Sequence, residues 1–244
     1  MRVGRRIALV LATLLGCRMS GGDDPAATGS EPFEAARERM VVEQLERRGI
    51  ADERVLAAMR RVPRHELVPE REREFAYEDR PLPIGRGQTI SQPYVVAAMT
   101  EAVAVSKGDK VLEVGTGSGY QAAVLAELGV SVYTIELEPE LAERARADLA
   151  RLGYQNVHVR AGDGYRGWPE QAPFDAIVVT AAPDHVPPAL VEQLAPGGRM
   201  VLPVGTWDQD LLRIHKDADG NVKQEVLMGV RFVPMRGEAE EGER

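Results

Sequence analysis

The stretch Val111-Leu112-Glu113-Val114-Gly115-Thr116-Gly117-Ser118-Gly119-Tyr120 constrains this chain more than any other. An apolar, β-branched run carrying one carboxylate gives way to three glycines that alternate with small polar residues. The apolar run Ala122-Ala123-Val124-Leu125-Ala126 follows and has the character of a buried helix. Strand, tight turn and helix in that order form the opening unit of a doubly wound α/β sheet. Glycine is needed where the backbone turns sharply or where a ligand approaches a position that a Cβ would occupy. An ordinary strand-to-helix loop satisfies the same pattern, so the turn by itself leaves function open.

The spacing of the glycines narrows the choice. A dinucleotide fingerprint places its third small residue three positions after the second. That position here is Tyr120, and the third glycine comes one residue early, at Gly119. The arrangement Glu113, Gly115, Gly117, Gly119 instead resembles motif I of Rossmann-like methyltransferases that bind S-adenosylmethionine (AdoMet). Val132-Tyr133-Thr134-Ile135 reads as a second strand ending at Glu136. A carboxylate there can accept both ribose hydroxyls of a nucleoside cofactor, or it can be a simple charge ahead of the helix that begins near Pro139. Val157-His158-Val159 is a third strand, followed by Asp163 and Gly164. An acid after that strand suits the adenine amine of AdoMet, and a plain turn is the alternative. The near-continuous apolar run Phe174 to Thr180 marks a central parallel strand covered on both faces. A helix over Val186–Leu194, ended by Pro196-Gly197-Gly198, leads to a fifth strand at Arg199–Val204. The last strands are Leu211–His215 and Val226–Val233, joined through Asp219-Gly220-Asn221.

Length and charge limit the partners. A chain of 244 residues, 44% of them hydrophobic, buries one sizeable core. A formal charge of -8 repels nucleic-acid phosphates, so no nucleic-acid partner is expected. Cys17 is the single cysteine, and His65, His158, His185 and His215 are scattered without ligand spacing, so no metal is expected.

Residues 1–30 stand apart. Arg2, Arg5 and Arg6 precede a short apolar run from Ile7 to Gly16, a charged and then hydrophobic pattern too short for a comfortable membrane span. Leu14-Leu15-Gly16-Cys17 resembles a lipoprotein cleavage box, which implies a lipid anchor at Cys17, and Met19–Ser30 reads as a flexible tether. A cytosolic protein with its start assigned too early is the alternative. The domain expected from this pattern spans residues 31–236, with an acidic disordered tail over 237–244.

Ahead of the glycine turn, the apolar positions Met40, Val41 and Leu45 and the stop at Gly49 predict one amphipathic helix from Phe33 to Arg48. Asp52 caps a second helix that carries Val55, Leu56 and Met59. The charged residues 70–80 read as solvated. Pro81 to Tyr94 has loop character around the polar cluster Gln88-Thr89-Ile90-Ser91, and Pro93 sits where a first helical residue belongs. Ser91 is then either the cap of that helix or a functional hydroxyl.

The run Leu82 to Met99 resembles the protein-L-isoaspartate (D-aspartate) O-methyltransferase family. So do Glu113–Gln121, Gly162-Asp163-Gly164, Thr180-Ala181-Ala182-Pro183, Leu202-Pro203-Val204-Gly205 and Arg231-Phe232-Val233-Pro234. The segment Thr89-Ile90-Ser91-Gln92-Pro93 is the most specific of these, and the N-terminal leader is the main departure. The resemblance implies an α/β, Rossmann-like AdoMet-dependent fold, a mostly parallel doubly wound sheet with an N-terminal helical extension. It implies methyl transfer from AdoMet to the α-carboxylate of L-isoaspartyl and D-aspartyl residues in damaged proteins. It makes Ser91 the catalytic residue, and places Thr89, Ile90, Ser91, Glu113, Gly115, Gly117, Gly119, Glu136, Asp163 and Gly164 around AdoMet. It implies a monomer and a cytoplasmic location where AdoMet is made, against which the leader reads as an export signal. A small-molecule O-methyltransferase and a non-enzymatic envelope lipoprotein that keeps the fold are the competing readings.

Overall fold

The computed structural model describes residues 31–239, so the leader, Cys17 and the last five residues lie outside the described residues. In chain order the elements are α1 (Glu31–Arg39), α2 (Glu53–Arg61), β1 (Leu82–Gly85), β2 (Gln88–Ile90), α3 (Pro93–Val103), β3 (Lys110–Val114), α4 (Tyr120–Glu127), β4 (Ser131–Glu136), α5 (Pro139–Arg151), β5 (Val157–Ala161), β6 (Phe174–Val179), α6 (Pro188–Gln193), β7 (Leu194–Val204), β8 (Gln209–Lys216) and β9 (Val222–Val230).

Seven strands form one sheet in the order β5-β4-β3-β6-β7-β8-β9. The first five run parallel, and β8 and β9 return antiparallel as a meander beyond β7. The expected near-continuous apolar strand, β6, lies at the centre, with Ala176 to Val179 buried. Both faces of the sheet are covered. One carries α2 to α5 and the N-terminal turns over a core that includes Val111, Val178 and Val201. The other carries α6 and the chain end over Leu112, Ile177 and Met200. Alternate residues of a strand face opposite sides, which is why consecutive apolar residues feed two cores.

The chain departs from the sequence reading at its ends. The helix expected over 33–48 is broken into α1, a π-helical turn over Met40–Leu45 and a short tight turn over Glu46–Arg48. The π-turn buries Met40, Val41 and Leu45 on one side, a grouping that one extra residue per turn permits. Gly49 ends it at φ 95°, and Asp52 caps α2 by accepting from the Arg54 N–H at 2.8 Å, as its sequence position predicts. Residues 70–80 are not uniformly solvated: Ala76 and Tyr77 are buried. The disordered tail expected from Gly237 does not hold for its first three residues. The Glu238 N–H donates to Asp163 at 2.8 Å, and Ala239 is buried against the second core.

Candidate active site

In an open α/β sheet, ligands sit outside the carboxyl ends of the strands, where neighbouring crossovers leave in opposite directions. Here that point lies between β3, which continues to β4, and β6, which continues to β7. The glycine turn occupies it. Gly115 takes φ 98°, and a Cβ there would collide with the Thr180 hydroxyl. That hydroxyl instead donates to the Gly115 carbonyl at 2.6 Å and fastens the turn to the end of β6. On the other side, the Gly115 N–H donates to the Ile135 carbonyl at 2.8 Å and the Gly117 N–H to Glu136 at 2.8 Å. The turn is thus fixed to both neighbouring strands before any ligand arrives.

A cavity lies over this turn, concave as ligand sites are. Thr89, Ile90, Ser91, Glu113, Gly115, Gly117, Glu136 and Gly164 all line it. Two of the ten expected residues do not. Gly119 caps α4 with its back to Leu149, where a Cβ would be crowded. Asp163 gives one oxygen to the Tyr165 N–H at 2.9 Å and the other to the Glu238 N–H at 2.8 Å, so its carboxylate anchors the chain end and does not line the cavity.

The charged groups of the cavity differ sharply. Glu136 accepts the Gly117 and Glu138 N–H groups, one on each oxygen, which leaves further lone pairs for ligand hydroxyls. Glu113 is fully buried and neither of its oxygens meets hydrogen-bond geometry, although the Thr134 hydroxyl and the Ala122 N–H lie near enough to favour its charged form in part. Burial pushes its carboxyl up to about 8, and the negative charge of Glu136 adds to the effect. The carbonyl oxygen of Gln121 is a second buried acceptor without a donor, while its amide donates to Thr100 at 2.8 Å. Two unsatisfied acceptors, one of them a carboxyl group, line one cavity; a buried polar group without a partner is costly, and a cationic ligand head would relieve both. The donor set therefore fits AdoMet, which carries an ammonium, a sulfonium and two ribose hydroxyls.

The hairpin of β1 and β2 brings Gln88 to Ile90 to the cavity, held down by Arg144, which donates to the Ile84 carbonyl at 3.0 Å. It delivers Ser91 just ahead of α3. The cap of α3 is Gln92, with no side-chain capping bond, and Pro93 is its first residue, so Ser91 is not the helix cap. Ser91 lines two cavities: the one over the glycine turn and an outer cleft that shares Thr89, Ser91, Thr180, Val233 and Pro234 with it.

Sequence reasoning missed Thr180, Gln121 and the segment 233–236. That segment closes the second side of the cavity as a strap. The Ala182 N–H donates to Val233 at 2.9 Å, the Met235 N–H donates to Ala182 at 2.7 Å, and Arg236 pairs with Glu138 at 2.7 Å. Among the described residues no group of three His, Cys, Asp or Glu side chains is placed to hold a metal ion.

The family model described as protein-L-isoaspartate (D-aspartate) O-methyltransferase matches residues 36–240. The chain belongs to this family. A curated relative from Picosynechococcus sp., named protein-L-isoaspartate O-methyltransferase, is 55% identical over 208 residues, covering 85% of this chain and 93% of its own. A relative from Anaeromyxobacter sp., named protein-L-isoaspartate O-methyltransferase 2, is 55% identical over 242 residues, covering 96% and 98% of the two chains. Among solved structures, one named protein-L-isoaspartate O-methyltransferase superposes with TM-score 0.76 at 32% identity, covering 83% of this chain and 67% of the other. A Plasmodium falciparum chain described as a protein-L-isoaspartate O-methyltransferase, in complex with S-adenosyl-L-homocysteine, superposes with TM-score 0.70 at 26% identity, covering 84% and 98%. The fold is therefore the expected AdoMet-dependent methyltransferase sheet with an N-terminal helical extension, and the enzyme is a carboxyl methyltransferase that uses AdoMet.

Proposed function

We propose that this enzyme methylates the α-carboxylate of L-isoaspartyl and D-aspartyl residues in damaged proteins, with Ser91 as the residue that orients the acceptor. The carrying observation is the position of Ser91 at the junction of the cavity over the glycine turn and the outer cleft. AdoMet, when bound, supplies a methyl group on a sulfonium. Glu113 and Gln121 would hold its cationic head, Glu136 its ribose hydroxyls, and Thr89, Ile90 and Gly164 would line its flanks. The Ser91 hydroxyl donates to the acceptor carboxylate and fixes the direction of its free lone pair. That carboxylate is ionised near neutral pH, so no general base is required. What the protein supplies is alignment and exclusion of water, which Ile90 and the 233–236 strap provide.

The test uses two synthetic peptides that differ only in an isoaspartyl or an aspartyl residue. The purified protein should transfer a labelled methyl from AdoMet to the first and not the second. Equal labelling of both, or of neither, rejects the assignment. We further propose that the leader directs export and that Cys17 carries the lipid, a reading supported by the charged, apolar and Gly-Cys order of residues 2–17. Mass spectrometry of the mature N-terminus in cells tests it, an unprocessed Met1 being the contrary result. The active unit in this reading is a monomer, and the net charge of -8 argues against a nucleic-acid partner. Light scattering and a nucleic-acid gel shift test these two readings, and a dimer or a shifted band is the contrary result.

A further inference from the structure

Methyl transfer at Ser91 leaves one conspicuous side chain unused. Trp207, at the tip of the β7–β8 turn, is 86% exposed, more than any other large apolar side chain among the described residues. An indole held in water forgoes a large burial gain, and tryptophan is enriched where binding energy concentrates. The turn that carries it is well braced. The Gly205 N–H donates to Pro183 at 2.9 Å. The Gln209 amide pairs with the Phe232 backbone in both directions, donating to its carbonyl at 3.1 Å and accepting its N–H at 2.6 Å. The indole is thus presented from a fixed base.

Trp207 lines the outer cleft, together with Tyr94, Met228 and Phe232, and Ser91 lines the same cleft. The charges around it nearly cancel. Asp208 and Asp210 stand with Arg48 and Arg231, and Arg48 is already paired with Asp79 at 2.6 Å and stacked 3.5 Å over Tyr94. Net charge therefore gives the cleft little means of choosing between polypeptides, and apolar contact is what remains.

We propose that Trp207 is a specificity-determining residue that grips an apolar or aromatic side chain of the substrate polypeptide, a few residues from the isoaspartyl position. The inference rests on the methyl-transfer reading. Its occupant follows from continuity: five residues are common to the cofactor cavity and the cleft, so a polypeptide that presents its carboxylate at Ser91 lies in the cleft that Trp207 borders.

The experiment compares isoaspartyl peptides that carry one phenylalanine, moved through the three positions on either side, with a parent carrying serine throughout. For at least one position, the wild-type KM should fall below that of the serine parent. Trp207→Ala should raise that KM about five- to tenfold at unchanged kcat and leave the serine parent within about twofold, the signature of lost uniform binding. Trp207→Phe should restore most of the preference. In a Trp168→Phe background Trp207 is the sole tryptophan, and the preferred peptide, added with S-adenosylhomocysteine, should shift its emission to the blue. Methylation with no flank preference, or a preference that survives Trp207→Ala, overturns the inference and leaves the methyl-transfer reading standing. Failure to methylate any isoaspartyl peptide overturns both. A drop in oligomeric mass by light scattering in Trp207→Ala, with peptide preference unchanged, assigns the indole to contact between copies of the chain and overturns the inference.

Discussion

Replacing Glu113 with glutamine separates two roles that the buried carboxyl combines. Its folded-state value lies near 8 against an ordinary 4.5, because burial disfavours the charged form. Each unit is worth about 1.4 kcal/mol, so the shift corresponds at most to about 5 kcal/mol of pH-dependent stability. The sign follows from proton counting. Between pH 4.5 and 8 the folded protein holds a proton that the unfolded chain has released, so stability falls as pH rises. The contribution is fully present below pH 4.5 and is lost as pH passes through about 8. Glutamine keeps the shape and cannot ionise. The Glu113→Gln protein without cofactor should therefore melt higher than wild type at pH 8 to 9 and lose this part of the pH slope. Binding should change in the opposite direction. A cationic ligand head favours the carboxylate, so wild type should release about one proton on binding S-adenosylhomocysteine at pH 7, read by calorimetry in buffers of different ionisation enthalpy. The variant should release none and bind about ten- to a hundredfold more weakly, the loss of one charge-assisted hydrogen bond. Equal melting curves across pH 5 to 9, or wild-type binding without proton release, would refute the reasoning.

Ser91→Asp should fold, bind S-adenosylhomocysteine and be essentially inactive, because a second negative charge beside the acceptor carboxylate repels it; near-normal single turnover would return Ser91 to a structural role. Ser91→Ala should lower turnover with little change in cofactor affinity. Glu136→Ala should cost about ten- to a hundredfold in cofactor affinity, and unchanged titration calorimetry in a folded variant would remove its ribose role. Gly115→Ala combines a left-handed φ of 98° with a collision at Thr180, so it should abolish cofactor binding and lower the melting temperature; a variant that binds normally would show that the turn can shift.

The glycine turn, Glu136 and the central β6 were legible because strand, turn and helix periods are local properties of the chain. The Asp52 cap and the Pro93 start were legible for the same reason. The hold on Asp163 was not legible, because it depends on Glu238, 75 residues later, whose N–H takes one of its oxygens. Thr180 and Gln121 drew no site role because a lone threonine or glutamine carries no pattern; only the fold places one against Gly115 and the other in the cavity that Glu113 lines. The break in the first helix likewise reflects tertiary burial of three neighbouring apolar residues, which outweighs the even helical spacing.

The strap over the cofactor cavity has a consequence for the order in which this protein becomes functional. Residues 233–236 close the cavity, yet they leave the ribosome after every strand of the sheet has been made. A nascent chain therefore owns the glycine turn and Glu136 long before it can enclose what binds there. Competence to enclose cofactor therefore comes later than the sheet itself, and a cut between β9 and residue 233 would leave a folded sheet whose cofactor escapes.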